Sequence, residues 1–195
     1  MYDMEDNNNQ IKIQLQDKIL KYIILPLIPK FIRPNHITIF RFILTPFVVW
    51  LFISEKYTSG AIVFLITSFS DAVDGSLART RNQITEWGKT YDPLADKLLT
   101  NSSLLVLGIS YFFWTTLALI VIDMSFIFAG WIWKYRGIEI KANAWGKAKM
   151  NFQVIGLLLL IIAIVTSYTP LFYFSVIALY LACVFAIASF YTYGI

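Results

Sequence analysis

A chain of 195 residues that is 58% hydrophobic and only 14% charged is not an ordinary soluble domain, where about a quarter of the residues carry charge. One cysteine, Cys183 inside an apolar run, excludes an intrachain disulfide framework and reads as a small hydrophobe. The net charge of +4 reads as attraction to phosphates and lipid headgroups, and nothing in it points to nucleic acid.

Several apolar runs approach or exceed the roughly 18–20 residues that cross a bilayer. The expected fold is therefore all-α: a polytopic membrane protein with six transmembrane helices and an N-terminal interfacial segment. Residues 1–33 form a cytoplasmic tail and that segment, and 34–195 form one membrane domain. Residues 1–10 are polar and expected to be disordered, and so acidic a start does not read as a cleavable signal peptide. Residues 11–32 mix apolar positions with Lys12, Lys18, Lys21 and Lys30, interrupted by Pro26 and Pro29. This pattern suits an amphipathic stretch lying among anionic headgroups.

Pro34 precedes a first span at about 37–53, with Arg41 one turn inside it, where a basic group must snorkel or meet an anion. The second span covers about 60–78. A polar connection over 79–91 follows, and the third span is expected to begin near Asp92, with Pro93 in a first turn or a local bend. Tyr111 to Trp114 look interfacial. The fourth span runs to about Trp133 with Asp123 near its middle, and 134–149 form a second basic connection. The fifth span covers about 151–167, Pro170 marks a turn, and the sixth covers about 171–190. Asp123 is either structural, paired with a base on another helix, or turned toward a substrate. With six spans, every Lys and Arg except Lys56 falls on one side, which the positive-inside rule makes cytoplasmic.

Four aspartates stand beside the second and third apolar runs. Asp71, Asp74, Gly75 and Ala78 recur at i, i+3, i+4 and i+7, one stripe of a helix. Two carboxylates are followed there by two minimal side chains, which let something bulky lie close to the backbone. Asp92 and Asp96 share one face of the next helix. Four carboxylates at a membrane edge are costly unless a cation meets them. Two such pairs on facing helices make an all-oxygen site suited to hard cations, Mg²⁺ or Mn²⁺, rather than zinc. An EF-hand is a poor match, because its ligands alternate within one loop.

Asp71, Asp74, Gly75, Ala78, Arg79, Gly88, Asp92 and Asp96 fit the pattern D-x2-D-G-x2-A-R-x8-G-x3-D-x3-D without a gap. In this the chain resembles the CDP-alcohol phosphatidyltransferases. Pro34-Asn35-His36-Ile37-Thr38 followed by Arg41 is similar to the segment that opens the first helix in many members. Gly146-Lys147-Ala148-Lys149 is similar to the G-K-x-K segment of the phosphatidylglycerophosphate synthases. The resemblance covers most of 34–153.

The resemblance implies a CDP-linked lipid substrate, CDP-diacylglycerol, and two Mg²⁺ or Mn²⁺ ions per active site. Asp71 and Asp92 would bridge both ions, Asp74 and Asp96 would each complete one, and Asp96 would take the acceptor's proton. Asn35, Thr38, Gly75, Ala78, Arg79 and Thr85 would surround the nucleotide and diphosphate; helix capping is the other reading of Asn35, Thr38 and Thr85. His36, the sole histidine, stands at a span start and is not expected to be catalytic. Relatives commonly form homodimers, and a bacterial inner membrane is the expected setting.

The acceptor is the open position. Lys134, Arg136, Lys141, Lys147 and Lys149 are available to a phosphate-bearing acceptor such as glycerol 3-phosphate, which would give phosphatidylglycerophosphate. Two departures leave a CMP-forming cardiolipin synthase as the alternative: Met150 stands where those synthases usually have Thr, and Ile122 where many relatives have Arg. A small cation transporter is the alternative from another class. It explains the carboxylates but not Gly75, Ala78 and Arg79 at fixed offsets.

Overall fold

A computed structural model describes residues 22, 25, 28, 29, 32–136 and 144–193, the side chains of residues 89, 134 and 193 excepted. Six helices occupy almost all of them: α1 (Pro34–Ile53), α2 (Tyr57–Thr80), α3 (Glu86–Gly108), α4 (Phe113–Tyr135), α5 (Ala144–Thr166) and α6 (Thr169–Tyr193). Among the described residues there is no strand. The expected surface segment over 11–32 lies almost wholly outside the described residues.

Five helices, all but α3, are long and apolar enough to cross a membrane. The expected six spans thus become six helices of which five meet that test. The exception has a physical cause: the first half of α3 carries Glu86, Lys89, Asp92, Asp96 and Lys97. Its length is ordinary, about 34 Å at 1.5 Å per residue.

Three boundaries differ from those expected. The helix bearing Asp92 starts a turn and a half earlier, at Glu86, because the Thr85 hydroxyl accepts from the Gly88 amide at 3.0 Å and caps it. Pro93 consequently lies inside α3 and not in its first turn. The helix bearing Gly146 to Lys149 starts at Ala144, so this segment belongs to α5 and not to a connection.

Short connections make the first helices antiparallel neighbours. At the end of α1 the Glu55 and Lys56 amides donate to the Phe52 and Leu51 carbonyls, at 3.1 and 2.9 Å, with Glu55 left-handed at φ 57°. This is a Schellman stop with glutamate in the position glycine usually takes. Asn82, φ 53°, plays the same part after α2, where the Gln83 amide reaches the Ala78 carbonyl at 2.9 Å.

One apolar core runs through the bundle. Val48, Phe64, Leu104, Leu119, Leu157 and Leu179, one from each helix, are all buried within it. Helices α5 and α6 pack tightly, and a Cβ on Gly156 would stand 2.8 Å from the Leu179 side chain. Near the opposite end of α2, Leu77 packs with Leu25, Ile28 and Ile37. There the Arg81 guanidinium donates to the carbonyls of Ile28, Pro29 and Ile32, at 2.8, 3.4 and 3.2 Å.

Candidate active site

The inner face of α1 is a stripe of Thr38, Arg41, Thr45, Val48 and Phe52, all buried and spaced three or four residues apart. Its first half is polar within an otherwise apolar helix. That half meets the C-terminal end of α2 and the N-terminal half of α3, so the site forms at one end of the bundle.

Arg41 is 0% exposed, and its two terminal nitrogens reach different carboxylates. Nη1 donates to Asp71 Oδ1 at 2.6 Å and Nη2 to Asp74 Oδ2 at 2.7 Å. The Asp71 side chain remains 44% exposed, whereas Asp74 is 2% exposed. One turn earlier on α1, the Thr38 hydroxyl donates to Asp92 Oδ1 at 2.6 Å. Asp96 follows one turn along α3, half-buried and within electrostatic reach of Asp71 and Arg41. The structure therefore brings all four sequence-predicted aspartates to one place, organised around Arg41.

The expected nucleotide-side residues fall beside them. Thr85 donates to Asn35 Oδ1 at 2.9 Å while its hydroxyl caps α3, the second of the two roles its sequence position suggested. A Cβ on Gly88 would stand 3.2 Å from Asp92 Oδ2 and from Thr85 Oγ1, and 3.5 Å from Asn35 Oδ1. Glycine leaves that corner open. The Arg79 guanidinium lies over Gly75, with Nη1 3.2 Å from where a Cβ would be. Ala78 is half-buried on the same stretch of α2. At His36, Nδ1 accepts from the Arg33 amide at 3.4 Å, a helix-start contact.

Of the five basic residues expected to meet an acceptor, the three with described side chains differ in their surroundings. Lys147 and Arg136 are exposed, the Lys134 side chain and all of Lys141 lie outside the described residues, and Lys149 is buried. Lys149 Nζ donates to Asp123 Oδ1 at 2.5 Å, with side chains 4% and 6% exposed. Gln153 Nε2 donates to Asp123 Oδ2 at 3.1 Å and to Asn101 Oδ1 at 2.8 Å. This polar knot joins α3, α4 and α5. Lys97, next to Asp96, lies within electrostatic reach of both Asp96 and Asp123 and links the two centres.

Arg41, Asn101 and Gln153 were not singled out as site residues from sequence. For Arg41 a signal existed, since a lone arginine inside an apolar span must find an anion. For the other two there was none.

Among the described residues, no three His, Cys, Asp or Glu side chains converge closely enough to hold a metal ion as they stand. The donors nonetheless fit a hard cation in kind. All are carboxylates, and the Arg41 guanidinium already acts as a stand-in cation on two of them.

Carboxylates of two helices, gathered around a buried arginine at one end of a bundle with five helices long and apolar enough to cross a membrane, mark the class as an integral-membrane enzyme. The sequence model of the CDP-alcohol phosphatidyltransferase family matches residues 31–188, most of the chain, and the chain belongs to that family. Similar proteins include the CDP-diacylglycerol–glycerol-3-phosphate 3-phosphatidyltransferases of three bacteria. That of Mycoplasma pneumoniae is 29% identical over 87% of this chain and 92% of its own. That of Bacillus subtilis is 30% identical over 82% and 92%. That of Haemophilus influenzae is 34% identical over 66% and 74%.

Proposed function

We propose that this enzyme transfers the phosphatidyl group of CDP-diacylglycerol to glycerol 3-phosphate, giving phosphatidylglycerophosphate and CMP. The observation that carries the reading is the assembly of Asp71, Asp74, Asp92 and Asp96 around one end of α1. The names of the similar bacterial enzymes support the acceptor.

In this reading the acceptor oxygen bonds to the lipid-bearing phosphorus, the anhydride bond to CMP breaks, and Asp96 takes the hydroxyl proton. Two Mg²⁺ or Mn²⁺ ions, held by the four aspartates, would supply neutralisation of the diphosphate charge at attacking and leaving oxygens. Arg79, above Gly75, offers a planar fork to a phosphate. Asn35 and Thr85, already bonded to each other, offer polar edges to the nucleotide. The aspartates face the cytoplasm of a bacterial cell membrane, supported by the one-sided distribution of Lys and Arg. The working unit is a homodimer, a reading that rests on the family resemblance.

The test is release of CMP from CDP-diacylglycerol by purified protein, with and without Mg²⁺ or Mn²⁺. Glycerol 3-phosphate, phosphatidylglycerol, inositol phosphate and serine are compared as acceptors. Turnover should need the cation and prefer glycerol 3-phosphate. Preference for phosphatidylglycerol would make it a cardiolipin synthase, which the departures at Ile122 and Met150 favour. Metal-independent turnover would sink the two-ion reading. A cation transporter is less well supported, because Asp123, the deep acidic residue of α4, is already neutralised by Lys149.

A further inference from the structure

We propose that Arg41 is a resident counter-cation of the acidic site, competing with divalent ions for Asp71 and Asp74 and so setting the ion concentration at which the site fills. The inference rests on the reading that these aspartates bind divalent ions, and goes beyond it.

The observations are geometric. Arg41 is 0% exposed on a membrane helix, so it cannot snorkel to water, and it lies under both carboxylates of the α2 pair. It engages one oxygen of each, at 2.6 and 2.7 Å. Asp74 is 2% exposed, so water cannot screen a charge on it, and Arg41 donates to it directly. With the guanidinium seated there, no acidic trio among the described residues converges on a metal-sized gap. Arg41 Nε is buried and has no hydrogen-bond partner among the described residues, so the fork is held through its two tips alone. A guanidinium held by its tips can swing without breaking a third bond.

The physical reason for such a device is the charge of the site. Four carboxylates gathered at a bilayer edge repel one another strongly, and a fixed positive group lets α2 and α3 pack before any ion arrives. The same charge must weaken ion binding. Repulsion between a unit charge and a divalent ion about 5 Å apart amounts to more than ten-fold in affinity even at the permittivity of water. A site tuned in this way fills only when ions are plentiful or when a diphosphate brings additional negative charge.

The test compares wild type, Arg41→Gln and Arg41→Lys, all purified in Mn²⁺ and then stripped. Mn²⁺ affinity is read by electron paramagnetic resonance of free ion, and stability by thermal unfolding in detergent. Arg41→Gln should bind Mn²⁺ about ten-fold more tightly than wild type, and Mn²⁺ should raise its unfolding temperature by more than it raises wild type's. Arg41→Lys, which keeps the charge, should stay within about three-fold of wild type. Unchanged or weaker binding by Arg41→Gln would overturn the proposal. So would failure to obtain folded Arg41→Gln even in Mn²⁺, because the ion would then not substitute for the guanidinium. If wild type binds no Mn²⁺ at all, the metal reading of the four aspartates fails instead.

Discussion

Replacing Lys149 by methionine removes one partner of an ion pair whose side chains are 4% and 6% exposed. Asp123 would then be left charged and buried in the bundle. Breaking a buried pair from one side costs about 3–5 kcal/mol. Here Gln153 still donates to Asp123 Oδ2 at 3.1 Å, so the lower end, about 3 kcal/mol, is expected. Adding Asp123→Asn removes the stranded charge while keeping an acceptor for Gln153, and should recover about 2 kcal/mol of that loss. The measurement is a double-mutant cycle by denaturant titration in mixed micelles, with wild type, both single variants and the pair. Lys149→Met costing under about 1 kcal/mol, or a pair no more stable than Lys149→Met alone, would refute the reasoning that this lysine is held as an internal counter-charge.

Three other outcomes follow from the geometry. Asp92→Asn should abolish CMP release while leaving the unfolding temperature near that of wild type; full activity would contradict its assignment as a metal ligand. Thr38→Val removes the 2.6 Å bond to Asp92 and should lower kcat by about ten-fold, the equivalent of one charge-assisted hydrogen bond, whereas Thr38→Ser should restore most of it. Gly88→Ala places a methyl 3.2 Å from Asp92 Oδ2 and should cut turnover with little change in stability, read by steady-state kinetics beside a melting curve.

Much of this molecule was written in its apolar runs, and the reason is visible residue by residue. Spans expected at 37–53 and 60–78 emerge as Pro34–Ile53 and Tyr57–Thr80, because proline opens the first and long, mainly apolar runs carry both. The start of α3 was misjudged because Glu86, Lys89 and Asp92 give no apolar rhythm; Thr85 was the signal, a capping hydroxyl outside the hydrophobic pattern. The aspartates were legible because their spacing repeats on one helical face, a local property. Their partners were not. That Arg41 meets Asp71 and Asp74, thirty and more positions away, depends on the register of α1 against α2. That Lys149 meets Asp123 depends likewise on how α5 lies against α4, which no local spacing encodes.

Arg81 gives the N-terminal extension a consequence of its own. Its guanidinium ties down the carbonyls at 28, 29 and 32 from the C-cap of the helix that bears Asp71 and Asp74. Residues 28, 29 and 32 are thereby fastened to the end of the acidic helix. A displacement at residues 28, 29 and 32 would therefore be passed to Arg81, about three turns from Asp71 and two from Asp74 along the chain.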